Sequence, residues 1–163
     1  MQHVDYSKVE ARVIAHYGDR PMKRATWDEY FMAMAWVVEQ RSPAEYRSGV
    51  VLVDEQKRVL SCGYAGYVRG LTHPMKFNEE LLVHAVPNAL ANSLREPGPG
   101  CTLYATRAPC PECLKLLVQW QIMEIIVPRG TQIQHVPFVV IRQHTLGDDE
   151  SRILEGAWRE SLA

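Results

Sequence analysis

An excess of charge of either sign is missing from this sequence: 18 Lys and Arg stand against 19 Asp and Glu, a net of −1. Without a basic field there is nothing to hold long nucleic acid, so a nucleotide-like ligand has to be small or bound locally. Cysteine is scarce. Four in 163 residues are too few for a disulfide scaffold and enough for one metal site. Long apolar runs are lacking as well, with none near the ~18 residues of a spanning helix. Met1 to Gly18 carries Asp5, Lys8, Glu10 and Arg12 where a signal peptide needs an apolar stretch. The expectation is a cytoplasmic protein with no membrane partner. Repeats and low-complexity tracts are absent. What remains is 47% hydrophobic and 23% charged, the composition of a globular domain with a real core.

The apolar pattern then sets the elements. Thr26 and Glu29 form a capping box, and Trp27, Tyr30, Phe31, Met34, Val37 and Val38 follow at helical spacing. Val50 to Asp54 and Val59 to Gly63, joined by Glu55-Gln56-Lys57-Arg58, predict an antiparallel hairpin. Tyr64 to Leu81 has no clear period and is expected to be a long loop, a common home for function. Val83 to Leu94 predicts a helix, with Pro87 tolerable in its first turn. A strand over Cys101 to Thr106 precedes a helix from Pro109 or Cys110 to Trp120. Strands over Met123 to Val127 and Val136 to Ile141, then a helix over Asp148 to Ser161, complete the order α-β-β-α-β-α-β-β-α. That order argues a three-layer α/β sandwich around a mixed sheet.

Cys110-Pro111-Glu112-Cys113 is a C-x-x-C at a strand-to-helix junction. By itself it reads as half a zinc site, a redox pair or two core thiols. A helix start offers free N–H groups and a positive dipole end, both favourable to thiolates. His84 stands at another predicted helix start. Two such starts meeting over one sheet would gather His84, Cys110 and Cys113 around one ion, leaving a fourth position for water as in a catalytic zinc site. Cys62 and Cys101 end and begin strands and are read as structural thiols. His3, His16, His135 and His144 have no ligand-like spacing to the cluster.

His84-Ala85-x with Pro109-Cys110-x-x-Cys113 matches the zinc deaminase signature H-x-E and P-C-x-x-C. Trp27 to Met32, Gly63-Tyr64-x-Gly66, Arg69-Gly70, His84-Ala85-x-x-Asn88-Ala89 and Leu103-Tyr104 follow in register. From Trp27 to Val127 the chain resembles the deoxycytidylate (dCMP) deaminase family. The resemblance implies an α/β fold, a three-layer α-β-α sandwich with a mixed five-stranded sheet, and Zn²⁺ on His84, Cys110 and Cys113. It also implies a pyrimidine deoxynucleotide ligand, hydrolytic conversion of dCMP to dUMP, and assembly as a homo-oligomer, dimer or hexamer. Gly63, Tyr64, Ala65, Gly66, Asn88 and Arg107 are the expected nucleotide-binding positions.

Two positions depart from that pattern. The family's catalytic Glu, two residues beyond the His, is Val86 here. That Glu moves protons between water, ring nitrogen and leaving amine, and Val86 cannot. The chain is therefore expected to bind zinc and to deaminate poorly or not at all. A catalytically silent nucleotide-binding or assembly subunit is the alternative. The family's Asn in Gly-Tyr-Asn-Gly is Ala65, which cannot hydrogen-bond a substrate. Glu112, Glu79, Glu80 and His73 are weak stand-ins for the missing carboxylate. Arg47, Arg69, Lys76 and Arg107 supply local positive charge for a phosphate.

Residues 4 to 19 resemble a different family. Asp5-Tyr6-Ser7-Lys8-Val9-Glu10-Ala11-Arg12 is similar to a motif of family A DNA polymerases, where the first Asp binds magnesium and the Glu checks the sugar. The other polymerase segments are missing, so no polymerase activity follows. Residues 1–22 are read as an appendage, inherited from a polymerase gene, on a deaminase-like zinc domain spanning 23–163.

Overall fold

The computed structural model describes residues 25–71, 78–133 and 139–144. Helix α1 (Trp27–Glu39) starts on the expected capping box. The Glu29 amide donates to Thr26 Oγ1 at 3.2 Å and the Thr26 amide to Glu29 Oε2 at 2.6 Å. Strands β1 (Gly49–Val53) and β2 (Val59–Tyr64) form the hairpin. Its turn closes around Asp54, whose carboxylate accepts from the Gln56 and Arg58 amides and from the Arg58 and Arg95 guanidinium groups.

Two-residue strands β3 (Gly66–Tyr67) and β4 (Leu82–Val83) pair with each other inside the region expected to be loop, with a 3-10 turn over Glu79–Leu81 before β4. Helix α2 (Ala85–Ala91), strand β5 (Thr102–Ala105), helix α3 (Pro111–Gln119) and strands β6 (Glu124–Pro128) and β7 (Val140–His144) follow. The sheet order is β2-β1-β5-β6-β7. β1 is antiparallel to β2 and β5, while β5, β6 and β7 run parallel. The mixed five-stranded sheet expected from the sequence is the one observed.

Alternation along β1 separates two cores. Val51 and Val53 join Tyr104, Ile126 and the Phe31, Met32 and Ala35 face of α1. Val50 and Leu52 face the other way, with Leu103, Ile125, Ala85 and Ala89 of α2 and Leu114 and Leu117 of α3. Among the described residues one helix covers one face and two cover the other, which makes three layers. Each fully buried Leu, Ile or Phe side chain is worth about 1.5–3 kcal/mol of transfer free energy.

Two boundaries differ from the sequence reading. α2 begins at Ala85 because Leu82 and Val83 are taken by the β3–β4 pair, and it ends at Ala91, where the Asn92 side chain donates to the Asn88 carbonyl. β7 is found over Val140–His144, set by its register from Glu124↔Val140 to Pro128↔His144. The expected start of that strand at Val136, the predicted helix over Asp148 to Ser161 and the segment 1–22 lie outside the described residues.

Candidate metal centre

Two helix N-termini build the centre. His84 is the N-cap of α2 and Cys110 the N-cap of α3, and neither spends its side chain on capping. Pro111 opens α3, where its fixed φ suits a first turn and its missing N–H is no loss. α3 follows β5 at the carboxyl end of a parallel pair, where ligands of open α/β sheets sit. α2 is drawn against the sheet by Gly63 of β2: a Cβ there would lie 2.5 Å from the Ala85 carbonyl oxygen and 2.5 Å from the Ala89 nitrogen. Gly63 is thus a close-approach glycine inside a strand rather than a turn glycine.

The three side chains converge. His84 Nδ1 lies 3.3 Å from Cys110 Sγ and 3.4 Å from Cys113 Sγ. All three donor atoms lie within 4.8 Å of one another. A tetrahedral zinc with Zn–N near 2.1 Å and Zn–S near 2.3 Å would set each N···S separation at about 3.6 Å, so the residues fit the ion. Burial pushes the Cys113 thiol up to about 12, with further upward contributions from Cys110. A bound zinc overrides that preference, because a coordinating thiol is deprotonated.

The donors line a cavity of about 300 Å³, at the small end of ligand pockets. Val86 and Ala65 line it too, so the two departures from the family pattern meet in one place. Val86 is 3% exposed and brings no polar atom. Arg107 also lines the cavity, its guanidinium 5.7 Å from the centroid of the Tyr46 ring.

Gly63, Tyr64, Gly66 and Asn88 are placed differently, outside that lining. The Asn88 amide donates to the Tyr64 carbonyl at 2.9 Å and its oxygen accepts from Asn92. It ties α2 to the end of β2. Arg47 bonds Gln40 and Arg69 bonds Asn92. Glu112 is exposed and pairs with Lys115 at 2.7 Å, and Glu80 is exposed. His73 and Lys76 lie outside the described residues, as does the Glu79 side chain.

In the segment between α1 and β1 sequence reasoning singled out Arg47 alone and missed the residues that line the cavity. Glu45, Tyr46 and Ser48 of that segment line the cavity. The one local signal was the Ser42-Pro43 turn pair, and nothing periodic pointed inward.

The chain is similar to known proteins. The profile of the cytidine and deoxycytidylate deaminase zinc-binding region matches residues 25–128. A deoxycytidylate deaminase of Mycobacterium phage D29 is 32% identical over 126 residues, covering 66% of this chain and 98% of that one. The human deoxycytidylate deaminase is 32% identical over 112 residues, covering 61% of this chain and 63% of its own, and a probable deoxycytidylate deaminase of Drosophila melanogaster is 32% identical over 117, covering 61% and 58%. The chain thus spans about three-fifths of the length of those two relatives. Among solved structures, the apo dCMP deaminase of cyanophage S-TIM5 superposes with a TM-score of 0.62 at 21% identity, covering 75% of this chain and 100% of that one. The fold is shared at that level.

Proposed function

The chain belongs to the cytidine and deoxycytidylate deaminase zinc-binding family, and on that premise we propose a zinc-dependent, dCMP-deaminase-type protein whose ligand is a deoxycytidine nucleotide. The observation that carries this reading is the His84–Cys110–Cys113 triad on the wall of a nucleotide-sized cavity. Zinc held by these three residues would supply an activated water for attack on C4 of cytosine.

The protein's own residues set how well that chemistry runs. His84, Cys110 and Cys113 would hold the ion. In this reading Arg107, which lines the cavity against the Tyr46 ring, is the residue that meets the phosphate. Gly63 lets α2 sit close enough to bring His84 to the cysteines. Val86 stands where the proton-carrying Glu belongs and carries no proton. General acid–base catalysis contributes about 10²–10⁴-fold, so conversion of dCMP to dUMP is slowed by that order.

The alternative is a chain that holds its nucleotide without converting it and serves as a binding or assembly subunit, and Val86 is the position that separates the two readings. Both readings carry the family expectation of a homo-oligomer, dimer or hexamer, which light scattering checks. Among the described residues no helix is long and apolar enough to cross a membrane. A cytoplasmic protein fits this substrate class. The test of the site is metal analysis paired with calorimetric titration of dCMP. One zinc per chain and saturable dCMP binding are expected; a chain without either is not a nucleotide-binding member.

A further inference from the structure

The segment from Ser42 to Ser48 is held against the cavity at both ends. Ser42, buried, donates its hydroxyl to the Ala65 carbonyl at 2.7 Å and accepts from the Ala44 amide at 3.3 Å. The Ala65 amide donates to the Ser48 carbonyl at 3.0 Å, and the Gly49 amide to Thr106 Oγ1 at 3.0 Å. The segment therefore wraps residue 65, whose family side chain is polar and whose side chain here is a methyl. It sets Glu45 into the lining of the cavity that holds the metal donors.

Among the described residues, Glu45 is the one carboxylate-bearing residue of that lining. Among the described residues its side chain makes no hydrogen bond and no ion pair. Arg107 lines the same cavity and is engaged with the Tyr46 ring. An exposed glutamate with an uncommitted carboxylate thus lines the same small cavity as the metal triad, while the position that should bear a carboxylate is apolar.

Building on the dCMP-deaminase reading, we infer that Glu45 is the proton carrier of this site, a slower stand-in for the carboxylate residue 86 lacks. As water oxygen bonds to C4 of cytosine, one water proton passes through Glu45 to the ring nitrogen N3. The second passes to the exocyclic amine as the C4–N bond breaks. Ammonia leaves, and the product keeps a carbonyl at C4 and a hydrogen on N3. Glu45 ends as it began.

The experiment compares the zinc-loaded full chain with Glu45→Gln, an isosteric change at an exposed position. Three readouts are taken: ammonia release from dCMP, dCMP affinity by calorimetry, and affinity for a pyrimidin-2-one deoxyribonucleotide, which hydrates into a mimic of the attacked base. A proton carrier contributes in the transition state and little in the ground state. Glu45→Gln is expected to lower turnover by about 10²-fold and to weaken the mimic by roughly tenfold or more, with zinc content and dCMP affinity unchanged. Equal turnover and equal mimic affinity in the two proteins overturn the inference. So does a wild-type chain that binds zinc and dCMP yet shows no turnover and no preference for the mimic. A chain that binds neither zinc nor dCMP instead overturns the deaminase reading beneath it.

Discussion

Gly63 in β2 and Ala85 at the start of α2 approach so closely that a Cβ on Gly63 would lie 2.5 Å from the Ala85 carbonyl oxygen. The helix that presents His84 and Val86 is seated by this contact. Gly63→Ala forces α2 off the sheet, because backbone on both sides leaves no flexible atom to yield. Overpacking of this kind costs about 1–3 kcal/mol or more. Chemical denaturation should show that loss, and metal analysis should show zinc affinity falling with it.

Zinc binding should be a stability term. The three donors come from two helix starts far apart in sequence, so the ion ties α2 to α3 only in the folded chain. Chelation is expected to lower the melting temperature, and added zinc to raise it by RT ln(1 + [Zn]/Kd). Cys113→Ser should abolish both responses. A variant that still melts higher with zinc would place the ion elsewhere.

The hairpin turn predicts a pH dependence. Burial alone would raise the Asp54 carboxyl, but the Arg58 amide and the Arg95 and Arg58 guanidinium groups outweigh it and hold it down at about 2. An unfolded Asp titrates near 3.9. A depressed folded value means the contribution is complete above about pH 4 and is lost as pH falls toward 2. The stability gap between wild type and Asp54→Asn should therefore be constant from neutrality to about pH 4 and shrink below it. A gap that widens on acidification would contradict the pairing seen here.

Residues 1–22 carry a polymerase-like motif and lie ahead of the matched family region, which begins at residue 25. Their removal is expected to leave the fold and zinc stoichiometry intact. Circular dichroism and metal analysis of a chain starting at residue 23 check this; loss of either would make the segment part of the domain.

Much of the fold could be read from local pattern. The Thr26–Glu29 box marks the start of α1, the two apolar runs around Glu55 to Arg58 mark the hairpin, and the helix-start placement of His84 and Cys110 foretells the triad. These signals are local because capping, pleating and helix termini are local. The β3–β4 pair was not legible, since two residues per strand carry no period. The shortened α2 follows from that pair, which claims Leu82 and Val83 through tertiary hydrogen bonds. Glu45 was not legible either. Its place in the cavity depends on Ser42 reaching Ala65 across 23 residues, a contact with no pattern in the chain. Ala65 and Val86 were both legible as departures, and the structure adds that they face one cavity.

Val86 limits the chemistry of an otherwise intact zinc site. Val86→Glu returns a carboxylate two residues beyond the metal His, on the same helix. Ammonia release from dCMP by the zinc-loaded wild type and by Val86→Glu, matched for zinc content, tests it most directly. A gain of about 10²-fold or more is expected in the variant. Equal rates in the two proteins would contradict it.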